Sequence, residues 1–385
     1  MTREKLKQDH LKQIFLYTRE TGVKGISRAE LKQKLKLAFP SVTALVDELI
    51  EKKLIIETGE TNKNYRGRPR TMIKINPEYL YIPVFELKAE GYNFVLYDLL
   101  GNSVLKEEIE HRGRKENYDV LWQPSLDEFC LPVINKINDI KDIYPLSDIV
   151  ISLPGNLHKS GTFKSTSVNL ETPPKVFEYA EEKTGFKIHT INCADSLACA
   201  EIIYGNVPEN YLYLDISRGF GAGIIYDGRP FLCGPSRAGE IGHISIDYKG
   251  IKCRCGSRGC IERYINTDVI TEEVKKVLPW VNDFEEVSVL YKDGNKETEE
   301  IINNKTEILI YGINNVFLIH PVADVIIGGK IKKLGNKFLS MLCDKVEEAG
   351  SRIYKGKVNF RLSENINDDM TIGAYYNYIN DIMIV

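Results

Sequence analysis

Apolar residues recur at helical spacing in three stretches of the first fifty residues. The first stretch predicts a helix over residues 3–20 and consists of Leu6, Leu11, Ile14, Phe15 and Tyr17. Ser27 followed by Glu30 is the pattern of a capping box, which predicts a short second helix that ends near Lys34. A third amphipathic helix, with Pro40 tolerated in its first turn, is indicated by Val42, Leu45, Val46, Leu49 and Ile50.

Two extended segments, residues 54–58 and 71–75, follow the third helix. The loop between them is basic and contains Lys63, Arg66, Arg68 and Arg70. Three helices followed by a hairpin with a basic tip predict a winged helix-turn-helix domain over residues 1–78. The helix that begins near Phe39 would enter the DNA major groove with Ser41, Thr43 and Ala44, and the hairpin arginines would reach phosphates or the minor groove. Winged helices also dock proteins, and this alternative remains open.

The remaining chain shows one pattern twice. Residues 81–109 read as a three-stranded meander, followed by a helix over residues 122–138 and a strand over residues 149–153. Later come a strand over residues 211–216, a glycine-rich turn, a helix over residues 306–318 and a strand over residues 325–327; the turn contains Gly219, Gly221 and Gly223. The repetition predicts an α/β body of two lobes with a ligand cleft between them. We place the first lobe at about 79–190 plus the C-terminal helix, and the second at about 191–370.

Composition agrees with a folded protein. The 385 residues are 43% apolar and 27% charged, which excludes wholesale disorder and fibrous classes. Charged or turn residues break every apolar run before about 18 positions, so no membrane span is expected. The first residues, MTREKLKQDHLKQ, form no apolar signal region, and we expect a cytoplasmic protein.

Charge is distributed unevenly along the chain. Residues 1–78 hold 17 lysines and arginines against 10 acidic residues, a net +7, whereas the whole chain has a net charge of -3, so the body carries -10. A basic head on an acidic body fits a head that meets a polyanion. A solvated, lysine-rich helix would give the same count.

Three of the eight cysteines lie within ten residues. Cys253, Cys255 and Cys260 follow His243, and three thiolates with one imidazole are the usual ligands of a structural Zn²⁺ site. The alternative is a set of free buried thiols. The other cysteines are scattered and indicate core positions.

The same segment carries a family resemblance. AGEIGHISID followed by KCRCGSRGCIE resembles the signature of the ROK family of repressors, open reading frames and sugar kinases. SRAELKQKLKLAFPSVTALVDELIEKKLI with the later GRPR is similar to the head of its repressor branch. The resemblance spans nearly the whole chain, because PGN, GFGAG, IIGG and IGAY follow in family order. It implies a two-lobed, actin-like (ribonuclease H-like) body that binds a sugar.

The resemblance also implies a set of sugar-binding residues. The matching positions are Gly155, Asn156, Asn192, Glu240, His243 and Glu262. Carboxylates and an amide can hold adjacent hydroxyls, while zinc would take one nitrogen of His243 and leave the other for a hydroxyl. A helix cap or a surface ion pair is the alternative for Glu240 and Glu262.

Three departures from the kinase pattern stand against phosphoryl transfer. The catalytic aspartate that the resemblance implies falls on Cys193, and Asp195 should point about 200° away from it around a helix. The first phosphate turn, Asp-x-Gly-Gly-Thr-like in kinases, is replaced by Glu86, Leu87, Lys88, Ala89 and Glu90. The second has Ser217 and Arg218 where kinases prefer Gly-Thr.

These features predict a sugar-responsive repressor of carbohydrate-use genes without enzymatic activity. Its partners would be double-stranded operator DNA and a sugar or sugar phosphate. A homodimer or homotetramer is expected, because two-fold operators need paired heads. Two alternatives remain: an active sugar kinase with an appended head, and a regulator controlled by a protein partner.

Overall fold

The N-terminal part of the chain forms a small helical head. The computed structural model describes residues 3–61, 71–111, 120–205, 207–231, 239–320, 322–348, 357–365 and 367–382. The head comprises α1 (Arg3–Glu20), β1 (Ile26–Ser27), α2 (Arg28–Leu35), α3 (Phe39–Glu51), β2 (Ile55–Thr61) and β3 (Thr71–Ile75). Its strands form an antiparallel sheet in the order β1-β3-β2. The three predicted helices are confirmed, and Ser27 and Glu30 form the expected capping box at the start of α2.

The first sheet of the body is mixed. Its order is β11-β7-β4-β5-β6, with β11, β7 and β4 parallel and the β4-β5-β6 meander antiparallel. The elements are β4 (Ile82–Leu87), β5 (Gly91–Tyr97), β6 (Ser103–Glu110), α4 (Leu126–Ile140), β7 (Ile149–Leu153), β8 (Asn156–Leu157), β9 (Phe163–Ser165), β10 (Leu170–Glu171), α5 (Val176–Thr184) and β11 (Ile188–Asn192). Strands β8 to β10 form a separate small sheet.

The second sheet repeats the first. Its order is β14-β13-β12-β15-β16, again a meander followed by two parallel strands. The elements are α6 (Cys193–Tyr204), β12 (Tyr211–Ile216), β13 (Phe220–Tyr226), β14 (Arg229–Pro230), α7 (Thr267–Val277), α8 (Phe284–Lys292), α9 (Lys296–Phe317), β15 (Asp324–Gly328), α10 (Asn336–Glu348), β16 (Asn359–Leu362) and α11 (Met370–Asn377). The predicted α/β class and duplicated pattern are therefore confirmed.

The glycine-rich segment differs from its prediction. Only Gly219 lies in a turn, because Gly221 and Gly223 belong to strand β13. A Cβ atom on Gly223 would stand 2.6 Å from the Ala194 carbonyl oxygen of α6. The glycines therefore let helix α6 pack directly on strand β13, which a side chain would prevent.

Two helices begin at other residues than predicted. Helix α4 begins at Leu126, where Ser125 and Glu128 form a capping box, and not at Trp122. Helix α9 begins at Lys296, ten residues before its predicted start, with Asn295 accepting a hydrogen bond from the Thr298 N–H. Its first turns are mostly polar, so the apolar pattern alone missed them.

One apolar cluster connects the head to the first lobe. It runs from Leu11 and Ile73 in the head to Ile82 and Tyr97 in the first sheet and on to helix α11. At the end of α1, the Arg19 guanidinium lies over the rings of Tyr375 and Tyr376, at 5.3 and 5.8 Å from their centroids. Separate clusters fill the outer side of the first lobe and the second lobe. None of the described helices is long and apolar enough to span a bilayer.

Candidate functional site: a His-Cys cluster beside the lobe cleft

Four potential metal ligands meet after strand β14. One ligand atom each from His243, Cys253, Cys255 and Cys260 lies within 4.8 Å of all the others. The Cys253 sulfur is 3.7 Å from His243 Nδ1, and the Cys255 and Cys260 sulfurs are 3.6 Å apart. The sequence thus identified a group of residues that the fold brings together and that could hold a metal ion.

The loop between these ligands is held by backbone hydrogen bonds. The Cys253 N–H donates to the Ser257 carbonyl, and the Ile246 N–H donates to the Gly259 carbonyl, both at 2.8 Å. Gly259 has φ +70°, and a Cβ atom there would lie 1.8 Å from the Asp247 carbonyl oxygen. Burial raises the pKa of the Cys260 thiol to about 12, because the thiolate loses its solvation. A bound cation would offset this loss, so the donor set fits a metal ion.

The carboxylate of Glu262 lies just beyond the last cysteine. It accepts a hydrogen bond from the Phe220 N–H at the start of strand β13, at 3.2 Å. The turn Ile241–His243 packs against the same strand, and His243 Nε2 is 3.9 Å from a Glu240 carboxylate oxygen. The Glu240 side chain is exposed. The structure therefore brings Glu240, His243 and Glu262 to one end of β13.

Asn192 stands immediately before helix α6, as its N-cap residue. Its side-chain oxygen caps the helix by accepting from the Ala194 N–H at 2.8 Å, and its amide nitrogen donates to the Gly155 carbonyl at 3.4 Å. Because α6 packs on β13, this end of the helix faces the strand that carries the Glu262 contact. Asn156 belongs to strand β8, and its side chain lies outside what the structure describes.

Cys193 and Asp195 follow Asn192 in the first turn of α6. Both are buried, and the Ser152 hydroxyl lies 3.5 Å from the Cys193 sulfur. The position to which the sequence resemblance assigns a catalytic aspartate therefore presents a buried thiol.

The turn that corresponds to the first phosphate turn is a tight hairpin. The Lys88 N–H donates to the Gly91 carbonyl at 2.8 Å, and Ala89 is buried. Glu86 accepts a hydrogen bond from the Asn93 amide at 3.0 Å, and burial raises the pKa of its carboxyl. A backbone hydrogen bond thus closes this turn, and a side-chain hydrogen bond joins the two strands beside it.

The segment that corresponds to the second phosphate turn is joined to neighbouring residues through Ser217. Its hydroxyl donates to an Asp215 carboxylate oxygen at 3.3 Å and accepts from the Lys330 N–H at 3.0 Å. Removal from water raises the pKa of Asp215 to about 6, and the nearby Asp368 carboxylate adds to this rise. The hydrophobic pattern treated Asp215 as part of a strand and missed it as a titrating group.

Asp215 gives a pH prediction. The folded chain holds a proton on this carboxyl up to about pH 6, above its ordinary pKa of 3.8. The folded state therefore binds more protons than the unfolded state between these values, and its stability falls as the pH rises from 4 to 6, by on the order of 2 kcal/mol from this residue. Asp215→Asn should remove that decline. Thermal unfolding of both proteins across pH 4 to 8 measures the difference; parallel curves would contradict it.

The candidate DNA-contacting residues divide into two groups. On helix α3, Ser41 and Ala44 are exposed, and Thr43 is half-buried with its hydroxyl donating to the Phe39 carbonyl at 3.0 Å. The loop residues Lys63, Arg66, Arg68 and Arg70 lie outside the described residues.

The chain is similar to known proteins over most of its length. The sequence profile of the ROK family matches residues 124–378. The chain is 24% identical over 377 residues to the xylose repressor of Caldicellulosiruptor bescii, covering 94% of this chain and 93% of that protein. It is 31% identical over 262 residues to the DNA-binding transcriptional dual regulator NagC of Escherichia coli, covering 66% and 62% of the two chains. A crystal structure of a ROK family transcriptional regulator, a homolog of the E. coli MLC protein, superposes with a TM-score of 0.77 at 21% identity and covers 97% of both chains.

Proposed function

The chain belongs to the ROK family, and from this premise we propose that it is a DNA-binding transcriptional repressor whose body binds a sugar without phosphorylating it. The observation that carries the proposal is one polypeptide in which a three-helix head with a small antiparallel sheet precedes a duplicated α/β body. A relative named as a xylose repressor matches over 94% of the chain, head and body together, and the relative named as the transcriptional dual regulator NagC matches over 66% of it.

The head, residues 1–78, acts in this proposal as a winged helix-turn-helix domain. Helix α3 enters the major groove with Ser41, Thr43 and Ala44, and the basic loop with Lys63, Arg66, Arg68 and Arg70 contacts the phosphates or the minor groove. The net charge of +7 favours a polyanionic partner over a protein dock. Because each head covers one short half-site, a homodimer or a larger symmetric assembly completes the operator contact. Such a regulator works in the cytoplasm.

The sugar binds in the cleft between the two lobes of the body, and this body extends from about residue 79 to the C-terminal helix. Asn192, Gly155 and Asn156 hold it from one side, and Glu240, His243 and Glu262 from the other. Carboxylates and amides suit vicinal hydroxyls, which offer both donors and acceptors. Zinc held by His243 and the three cysteines would fix the loop that presents these groups, and it supplies no reactive chemistry there.

Three local features support binding without catalysis. The thiol of Cys193 replaces the carboxylate base, the hairpin at Lys88–Gly91 is closed on itself, and Ser217 is occupied by Asp215 and the Lys330 N–H. Phosphoryl transfer needs a positioned base and an open, donor-rich cradle for the phosphates. A sugar that closes the cleft would shift the heads, and a coupling of about 1–3 kcal/mol would change operator affinity by roughly 5 to 150-fold.

The direct test begins by selecting duplexes from a random library with the full-length chain. Affinity for the selected duplex is then measured with aldoses, amino sugars and their 6-phosphates. We expect one sugar to weaken binding at least fivefold. If no duplex is selected even at low salt, the proposal fails.

The two alternatives give different results in the same material. Turnover of ATP with any sugar of the panel, followed in a coupled assay, would establish a kinase. Binding to the selected duplex with no calorimetric heat from any sugar would favour a protein partner as the regulating signal.

Glu262→Gln tests the sugar site itself. The amide oxygen can still accept the Phe220 N–H, but the variant loses the charge that strengthens a hydroxyl hydrogen bond. We expect sugar affinity to fall about tenfold in calorimetry while duplex affinity without sugar is unchanged. Glu272→Gln, an exposed change on helix α7, is the control and should leave both values unaltered. Equal sugar affinity in both variants would remove Glu262 from the site.

A further inference from the structure

The first half of helix α3 exposes an aromatic ring. Phe39 has 48% of its surface accessible, and it is not among the residues that pack on the apolar cluster of the head. We propose that Phe39 contacts the 5-methyl groups of thymine in the major groove, so that α3 selects A·T pairs by apolar contact. This inference rests on the proposed function, because it assumes that α3 meets duplex DNA.

The composition of α3 supports an apolar contact with bases. The helix reads FPSVTALVDELIE and contains no Arg, Lys, Asn, Gln or His. Guanine is usually read by Arg or Lys, and adenine by Asn or Gln, through paired hydrogen bonds. The thymine methyl group is the base feature that Phe, Ala and Thr side chains contact. Phe39, Thr43 and Ala44 are such side chains.

The polar groups on this part of α3 are few. The Thr43 hydroxyl donates its proton to the Phe39 carbonyl at 3.0 Å, which engages it within the helix. Ser41 is exposed and keeps a hydroxyl for a phosphate or a base edge. The first turns of α3 therefore present methyl and ring surface with one hydroxyl.

Two of the three acidic residues of α3, Asp47 and Glu48, are paired with cations of other elements, and the third, Glu51, is the last residue of the helix. Asp47 is bound by the Arg28 guanidinium at 2.6 Å, which also pairs with Glu57 of strand β2. Glu48 is bound by Lys7 Nζ of helix α1 at 2.8 Å. These ion pairs compensate the two carboxylates that lie nearer to the first turns, and Glu51 stands at the opposite end of the helix from Phe39, so a phosphate chain against the first turns meets little repulsion.

Exposed lysines lie close to Phe39 in sequence. The Lys32 side chain is exposed on α2. Lys36, also exposed, follows that helix in the left-handed conformation, with φ 54°. Lysines that can neutralise phosphates stand here beside an uncharged, apolar helix end. This charge pattern is typical of a protein surface that binds duplex DNA, because the cations position the DNA backbone while the helix reads the bases. The occupant of this surface is therefore duplex DNA.

The experiment uses the full-length chain and the duplex selected from the random library. Each thymine is replaced in turn by uracil, which removes only the 5-methyl group. We expect about a fourfold loss of affinity at one or two positions in each half-site, the effect of one buried methyl group. In Phe39→Ala the same positions should show no loss, and in Phe39→Leu a reduced one.

Ile143→Ala provides the matched control, because it truncates an apolar side chain of the body that is 70% exposed. It should keep the full uracil sensitivity. Since Phe39 is exposed, Phe39→Ala should melt at the wild-type temperature. A chain that binds its selected duplex and tolerates every uracil overturns this inference alone. A chain that selects no duplex overturns the proposed function with it.

Discussion

Cys255→Ser is expected to leave the protein without a bound metal and without a response to sugar. Cys255 is exposed, so the change removes one thiolate without opening a cavity in the core. Its sulfur lies 3.6 Å from that of Cys260. Loss of one of four ligands weakens a structural zinc site severely, because the remaining donors cannot close the shell. The loop that carries Glu240, His243 and Glu262 would then lose its anchor.

The measurement is the metal content of purified protein together with duplex affinity in the presence of sugar. We expect about one zinc per wild-type chain and close to none in the variant. Cys343→Ser, outside the His-Cys cluster, should keep both properties. A variant without metal that still responds to sugar would show that the loop holds its shape unaided.

Gly373→Ala is expected to destabilise the body by about 3 kcal/mol. A Cβ atom at this position would stand 1.7 Å from the Ser196 carbonyl oxygen and 2.8 Å from the Ala200 nitrogen, both backbone atoms of helix α6. Alanine favours a helix over glycine by about 1 kcal/mol, but the two helices must separate to admit the methyl group. The clash therefore outweighs the gain in propensity.

Calorimetry should show the melting temperature of Gly373→Ala lowered by roughly 5–10 °C. Ser340→Ala, on the exposed side of helix α10, improves propensity without a clash and should melt within about 2 °C of wild type. Because Asn192 caps the start of α6, separation of the helices should also weaken sugar binding. An unchanged melting temperature would mean that α11 can slide on α6 without loss.

Local patterns predicted the head and the sheets well. The capping box at Ser27 and Glu30, and the apolar face of α3, are decided by neighbours in sequence, so periodicity was sufficient. The glycines at 221 and 223 were assigned to a turn, because the sequence does not reveal that another helix lies on top of them. Their role depends on α6, which packs across the strand.

The candidate site was predicted by two different routes. The His-Cys cluster followed from spacing, since its four ligands lie within 18 residues. Gly155, Asn192 and Glu262 are far apart and share no local pattern, so only the family resemblance indicated them. The structure connects these residues, because helix α6 and the Glu262 carboxylate both contact strand β13. The Arg28 ion pairs had no sequence signal, because their partners lie 19 and 29 residues away.

The continuous apolar cluster between head and first lobe determines how a signal can travel. Leu11 and Ile73 share this cluster with Ile82 and Tyr97, and Arg19 rests on two tyrosines of α11. The head is thus packed against the first lobe and is not joined to it by a linker alone. In the proposed repressor the head would therefore rotate together with the first lobe, and because the head lies at the end of that body, a small rotation at the cleft would become a larger displacement at the DNA.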